Sequence, residues 1–138
     1  SQYCSAFGEH IIEKEVQESL KGAIEKFGAS VSEFSVCPNI KSTPHKSHHE
    51  WFIEFSKKPS NISEFETHLN SVMKTQNIYY KDLVESGVVN PLKIKCVGVG
   101  GFNAYMKSIG KFGGQNKCQH LSNERKLANF LLKNYVEN

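Results

Sequence analysis

The sequence of 138 residues has no long hydrophobic run. Its apolar stretches, such as residues 130–132, are far shorter than the ~20 residues that a membrane-spanning helix needs. Its first residues also lack the basic start and the apolar run of a secretion signal. We therefore expect a protein without membrane contact and predict a cytoplasmic location.

Proline and paired cysteines are also scarce. The chain has four prolines, and its four cysteines, Cys4, Cys37, Cys96 and Cys118, form no Cys-x-x-Cys pair. This spacing favours reduced thiols over a disulfide framework. Since 38% of the residues are hydrophobic, disorder is excluded, and residues 1–138 are predicted to form a single domain of ordinary size.

Acidic residues are scarce in the C-terminal third. The net charge is +3, and between Lys93 and Lys133 the only acidic residue is Glu124. A local positive field of this kind suits a phosphate-bearing ligand. A solvated basic face explains it equally well, so composition leaves both interpretations open.

Hydrophobic periodicity predicts an α-β-β-α-β-α order. A helix is expected over residues 9–27 and ends at Gly28, and an antiparallel pair of strands follows over 31–37 and 49–55, with Pro38 ending the first. Asn61 is expected to cap a second helix, residues 92–99 to form a third strand, and Ser122 to cap the last helix. This order predicts an α/β (α+β) two-layer sandwich: a small mixed, largely antiparallel sheet of three to four strands with helices packed on it.

Two motifs resemble binding sites but lack an essential part. The histidine cluster at residues 45–49 falls partly in a loop, and strand alternation sends His48 and His49 to opposite faces, so no metal site is predicted. The glycines after the third strand would need a further glycine at position 103 to match a dinucleotide loop, and that residue is Asn103. A tight turn explains this segment better.

A glycine-rich basic loop spans residues 110–117. It is not a P-loop, because no serine or threonine follows its lysines. Its bare backbone can approach an anion closely, and Lys111 and Lys117 add two compact positive charges. Anion binding and a flexible basic surface loop remain equal alternatives on these residues alone.

Four strings in this sequence together resemble a known family. They are Phe-Gly-Glu-His at residues 7–10, His-Glu-Trp-Phe-Ile-Glu-Phe at 49–55, Gly-Lys-Phe-Gly-Gly-Gln-Asn-Lys at 110–117 and Leu-Ser-Asn-Glu-Arg at 121–125. Their order and intervals resemble the C-terminal domain of the Gretchen-Hagen (auxin-responsive promoter) family, in its bacterial branch. The resemblance covers residues ~3 to ~134, which is nearly the whole chain.

The resemblance implies an activity. Such proteins are adenylate-forming enzymes: they use ATP and Mg²⁺ to convert a carboxylic acid into an acyl-adenylate, then transfer the acyl group to an amine such as an amino acid. The implied organisation is a large N-terminal adenylating domain, which binds most of the ATP and Mg²⁺, and a small C-terminal lid. Residues 1–138 would be that lid, and the isolated domain is expected to be inactive.

The resemblance also implies roles for loop residues. Lys117 matches the catalytic lysine delivered by the lid, and Lys111 is a second candidate. Phosphate-binding or loop-positioning roles fall on Gly113, Gly114, Gln115 and Asn116. No metal ligand is implied in this chain.

The sequence departs from the family at one place and leaves other roles open. Many relatives have Lys-Val-Pro-Arg where residues 117–120 read Lys-Cys-Gln-His, so a bidentate anion contact is lost. For Glu9 and His10 we favour structural roles, and for Trp51 a place in the sheet core. The alternative function is a stand-alone basic module that binds RNA or another polyanion, although no strand shows the paired aromatics that stack on bases.

Overall fold

The computed structural model describes residues 3–111 and 117–137. A short 3₁₀ turn occupies Pro44–Lys46. The strands are β1 (Tyr3–Cys4), β2 (Ile11–Ile12), β3 (Ser30–Asn39), β4 (His48–Lys57) and β5 (Lys93–Cys96), and the helices are α1 (Glu13–Phe27), α2 (Ile62–Gln76), α3 (Ile78–Glu85), α4 (Gly101–Ser108) and α5 (Lys126–Asn134). Within these residues no helix is long and apolar enough to cross a membrane.

The mixed α/β fold predicted from the sequence is confirmed. The main sheet has the order β3-β4-β5, in which β3 and β4 are antiparallel and β4 and β5 are parallel. A separate ribbon pairs β1 with β2. The central strand β4 is buried on both faces: Trp51, Ile53 and Phe55 pack among α1 and α2, whereas Phe52 packs with residues of α4 and α5. The expected core position of Trp51 is thus confirmed.

The first helix begins later than predicted. It starts at Glu13 instead of residue 9, because Ile11 and Ile12 pair with β1 in an extended conformation. Its predicted end is confirmed: Gly28 has a φ of +63° and its N–H donates to the carbonyl of Ile24. Residues 9–12 are therefore not helical, and the carboxylate of Glu9 makes the contacts described below.

Pro38 does not end the first long strand, which continues to Asn39. The N–H of Val36 donates outward to the carbonyl of His120 rather than to β4. Residue 38 shares this outward direction by strand alternation, so its missing N–H costs no bond to β4. Proline is tolerated at such a position on a sheet edge.

The remaining boundaries follow local hydrogen bonds. As predicted, Asn61 caps α2 by accepting from the N–H of Glu64. Ser122, however, does not cap the last helix: α5 begins at Lys126, and the Ser122 hydroxyl instead accepts from the N–H of Glu124 in a turn. The third strand is shorter than predicted and spans Lys93–Cys96; the N–H of Val97 still donates to the carbonyl of Ile53, and Val97 forms an isolated bridge with Val136.

The turn into α4 depends on a glycine. A Cβ added to Gly101 would lie 2.5 Å from Cγ1 of Val97 and 3.1 Å from Cβ of Tyr135. We expect Gly101→Ala to lower the free energy of unfolding by about 1–3 kcal/mol through overpacking. Urea unfolding followed by the fluorescence of Trp51, the only tryptophan, measures this.

Gly22→Ala is the matched control. Gly22 lies inside α1 and an added Cβ would meet nothing within 4 Å. Alanine is favoured over glycine in a helix by about 0.8–1 kcal/mol, so this variant should be more stable than wild type. Wild-type stability of Gly101→Ala would contradict the close packing at the turn.

Candidate functional site

One end of the basic loop is fixed by the end of α4. Gly110 has a φ of +80°, which glycine adopts without strain. Its N–H donates to the carbonyl of Lys107 at 3.0 Å, and the N–H of Lys111 donates to the carbonyl of Met106 at 2.8 Å. These two bonds form a Schellman motif, which holds the backbone of Lys111 against the helix.

The other end of the loop is fixed on the edge of the sheet. The hydroxyl of Ser35 donates to the carbonyl of Gln119 at 2.7 Å. The N–H of Val36 donates to the carbonyl of His120 at 2.8 Å, and the N–H of Ser122 donates to the carbonyl of Val36 at 3.1 Å. The segment after Lys117 therefore runs beside β3 like a further strand.

The two ends of the loop and the start of α5 bring three lysines to one cavity of about 360 Å³. Lys111, Lys117 and Lys126 line it, and Glu124 is the only carboxylate among the described lining residues. This charge imbalance favours an anion, while the apolar side chains supply a wall for a hydrophobic group. The rest of the lining consists of Ser35, Tyr105, Met106, Ile109, Cys118, Gln119, Ser122 and Leu127.

The structure places two of the six predicted site residues. Lys117 and Lys111 line the same cavity, as their joint assignment to one site requires. Gly113, Gly114, Gln115 and Asn116 lie outside the described residues.

Sequence reasoning missed Lys126 and Ser35 at this site. A signal for Lys126 was available, because it belongs to the basic C-terminal third and follows the Leu-Ser-Asn-Glu-Arg string directly. For Ser35 there was none, since only the pairing of β3 with the segment after Lys117 brings its hydroxyl there.

Glu9 accepts four hydrogen bonds in the interior. Its Oε1 accepts from the N–H of Phe7 at 2.7 Å and the hydroxyl of Ser5 at 3.2 Å, and its Oε2 accepts from the N–H of Ala6 at 2.7 Å. The fourth donor is His49, whose Nε2 lies 2.6 Å from Oε2. Burial acts to raise the pKa of Glu9, but His49 and the backbone donors outweigh it and lower the pKa to about 2.

The bond to His49 extends into a wider polar network. The ring of His49, 1% exposed, stacks on Tyr80 at a centroid distance of 5.1 Å. The Tyr80 hydroxyl donates to Asn70 at 2.6 Å and accepts from the N–H of Leu92. Because both Glu9 and His49 are enclosed by protein, the structural interpretation of Glu9 is the better one.

A second buried carboxylate joins β4 to the start of α5. Oε1 of Glu50 lies 2.6 Å from Nη1 of Arg125, and its Oε2 lies 3.6 Å from Nε2 of His48. Burial again acts to raise the pKa, but His48 and Arg125 lower it to about 2. The ion pair links the string at 49–55 to the string at 121–125 across the sheet.

The two motifs judged incomplete have structural roles in the described residues. His48 and His49 point to opposite faces, toward Glu50 and Glu9, and no group of three His, Cys, Asp or Glu within residues 3–111 and 117–137 is placed to hold a metal ion. The glycine segment forms a tight turn, in which Glu54 accepts from the N–H groups of Gly100 and Phe102 at 3.2 and 3.3 Å. That carboxylate caps α4.

Comparison with known proteins decides the family. The model of the GH3 family C-terminal domain matches residues 14–126. The chain belongs to the GH3 family. This confirms the Gretchen-Hagen resemblance carried by the four strings, while the bacterial branch stays a prediction.

Solved GH3 structures share this fold. A structure titled GH3.15 acyl acid amido synthetase matches 99% of the chain with a TM-score of 0.79 and 17% identity. A second, titled AtGH3.15 acyl acid amido synthetase in complex with 2,4-DB, matches equally well with 16% identity. The GH3 chain described here spans about a quarter of their length, 26% in each case. No curated protein matches it.

Proposed function

We propose that this chain is the C-terminal lid domain of an ATP-dependent acyl acid amido synthetase, with Lys117 as its catalytic residue. The observation that carries the proposal is the convergence of Lys111, Lys117 and Lys126 on one cavity within a GH3 C-terminal domain. The proposed partner is an N-terminal adenylating domain of the same polypeptide, and the proposed substrates are ATP, a carboxylic acid and an amine acceptor.

The role of Lys117 follows from the charge that the reaction moves. A carboxylate oxygen attacks the α-phosphorus of ATP, an oxygen–phosphorus bond forms, and the bond to the departing pyrophosphate breaks. Negative charge then grows on the phosphoryl oxygens, and an ammonium group held beside them in a site without water stabilises the transition state. The amine acceptor subsequently attacks the acyl carbon, loses a proton and displaces AMP.

The other lysines of the cavity have a binding role in this proposal. Lys111 is held on α4 by its backbone and can contact a phosphate as a point charge. Lys126 begins α5 on the same cavity. Gly113, Gly114, Gln115 and Asn116 remain predicted phosphate-binding residues.

Among the described residues no group of three His, Cys, Asp or Glu is placed to hold the Mg²⁺ that the family implies. Glu124 is the only carboxylate that lines the cavity in that part of the chain, and three lysines accompany it. We therefore assign the ion no ligand here and derive no step through it; the N-terminal domain is its proposed site.

The structure gives the RNA-binding alternative no stacking surface on the central strand. Trp51, Phe52 and Phe55 are at most 6% exposed and lie in the two hydrophobic clusters. Bases stack on aromatic rings that a sheet presents to solvent, and β4 presents none. The lid proposal explains the positive charge of the C-terminal third and requires no exposed aromatic rings.

The proposal is tested by carboxylate-dependent ATP–pyrophosphate exchange with the full-length gene product. We expect exchange that depends on a carboxylic acid, and none from the 138-residue chain alone, because the large domain is proposed to hold ATP and the acid. The assay uses a broad panel of carboxylic acids. Silence of the full-length protein across that panel would overturn the proposed function.

A further inference from the structure

The imidazole of His120 lies between two carboxylates that come from different elements. Its Nδ1 is 3.0 Å from Oε1 of Glu13 on α1, and its Nε2 is 3.1 Å from Oε1 of Glu33 on β3. The ring also stacks on Phe34 with a centroid distance of 4.1 Å and an interplanar angle of 10°. The ring is therefore held at both nitrogens and on one face.

Only the protonated ring can make both contacts. An ionised carboxylate accepts hydrogen bonds and donates none, and a neutral imidazole has a single N–H. After loss of the proton at Nδ1, the amide of Gln17, whose Nε2 is 3.5 Å away, is placed to donate to that nitrogen in place of the bond to Glu13. The bridge thus has a charged form with two carboxylate partners and a neutral form with one.

The surrounding charges favour the protonated form. The hydrogen bond to Glu33 raises the pKa of His120 most, burial opposes this in part, and Glu13 raises it further. Three other charged side chains line the same groove: Lys21 and Glu25 from α1, and Lys117. The bridge therefore stabilises the fold below the ordinary histidine pKa, and this contribution is lost as the pH rises through the raised value.

The bridge lies at the fixed end of the basic loop. The carbonyl of His120 accepts from the N–H of Val36, so the ring and the backbone of this residue are both tied to β3. Lys117 is three residues earlier and lines both the groove that contains His120 and the cavity of the candidate site. Only two residues separate His120 from Lys117, so the backbone held by the clamp is directly continuous with the backbone that carries Lys117.

We propose that His120 is a positioning residue for Lys117 and that it performs this role as an imidazolium clamped between two carboxylates. Its consequence for catalysis rests on the proposed function of Lys117. Loss of the proton at higher pH frees the ring from one carboxylate and loosens the segment that carries the lysine. The clamp would make adenylation decline as the pH rises, through a group that never touches the substrate.

The clamp is tested first in this chain by an NMR titration of its six histidines, with His120→Gln used for assignment. His120 should titrate above the ordinary value, and the backbone amide of Lys117 should shift with the same midpoint. Glu33→Gln should lower that midpoint, whereas Glu25→Gln, an exposed carboxylate in the same groove, should leave it almost unchanged. An ordinary midpoint in wild type, or an amide of Lys117 that does not respond, overturns the proposal.

The catalytic consequence is tested by the pH profile of ATP–pyrophosphate exchange in the full-length protein. At pH values below the His120 midpoint, His120→Gln should exchange roughly fivefold to tenfold more slowly than wild type, which is the scale of two partly exposed ion pairs. At pH values above the midpoint, the two rates should converge. His120→Arg keeps the charge at all pH values and should retain activity at high pH. A purely structural loss would lower the rate equally at every pH.

The two arms separate the possible failures. If the full-length protein does not exchange with any acid, the proposed function fails, and the catalytic role of His120 fails with it, while the titration alone decides whether the clamp exists. If the wild type exchanges and His120→Gln matches it at every pH, the positioning role is wrong and the proposed function stands.

Discussion

Glu9→Gln should lower the free energy of unfolding of this chain by about 3–5 kcal/mol, the usual cost of breaking a buried ionic contact. All four groups that face the Glu9 oxygens are donors: two backbone N–H groups, the hydroxyl of Ser5 and the ring of His49. A glutamine keeps the shape but turns its own NH₂ group toward two of these donors. Since domains are stable by only about 5–15 kcal/mol, this single atom change removes a large share of the total.

Urea unfolding followed by Trp51 fluorescence measures this effect. Glu18→Gln is the matched control, because Glu18 is an exposed carboxylate of α1 and the substitution there should change stability by less than about 0.5 kcal/mol. An unfolding free energy of Glu9→Gln within 1 kcal/mol of wild type, a margin set by the ordinary error of the method, would contradict the buried network.

The same carboxylate predicts how stability depends on acid. The pKa of Glu9 is lowered to about 2, so its contribution is present above the ordinary value of 4.5 and is lost as the pH falls toward 2. Glu50 has a pKa of about 2 as well and adds to the same decline. Wild type should therefore lose stability steeply between pH 4.5 and 2, and Glu9→Gln should lose less over that range. Equal slopes would contradict the assignment.

Lys117→Ala should lower turnover of the full-length protein by about 10²–10³-fold, the usual cost of removing one group that acts on transition-state charge. Affinity for ATP should change little, because the lid lysine is proposed to act on charge that develops only during the reaction. Lys111→Ala should reduce turnover less, since its proposed role is to bind phosphate. Lys81→Ala is the matched control: Lys81 is an exposed lysine of α3 that does not line the cavity, and its removal should have no effect.

The strand pattern and the helix stripes were predictable from the sequence because burial imposes a period of two or of 3.6 residues. The alternation of β4 correctly separated Trp51 and Ile53 from Phe52. The start of α1 was predicted too early because Ile12 fits the apolar stripe of a helix as well as it fits a strand. The buried hydrogen bonds of Glu9, which favour the extended conformation, are visible only in the structure. The prediction that Pro38 ends its strand was wrong for a similar reason. A proline costs no bond within the sheet only if its nitrogen points away from β4, and the sequence does not show which way it points.

The site could be predicted only in its charged residues. Lys111 and Lys117 belong to a recognisable string, and their convergence on one cavity required only that both ends of the loop be fixed. Ser35 and the clamp on His120 are long-range contacts, between residues 84 or more positions apart, and no local pattern encodes them. Several residues of the four family strings have structural roles: Glu9, Glu50 and Glu54 each join separate elements of the fold.

The most direct test of the central claim is carboxylate-dependent ATP–pyrophosphate exchange with the full-length protein, measured for wild type, Lys117→Ala and Lys81→Ala side by side, with ATP affinity determined for each. The lid assignment predicts acid-dependent exchange in wild type and Lys81→Ala, and a loss of about 10²–10³-fold in Lys117→Ala with ATP affinity nearly unchanged. Wild-type exchange in Lys117→Ala would contradict the catalytic assignment of that lysine and leave Lys111 as the next residue to test. Silence of the wild type would contradict the enzyme assignment itself.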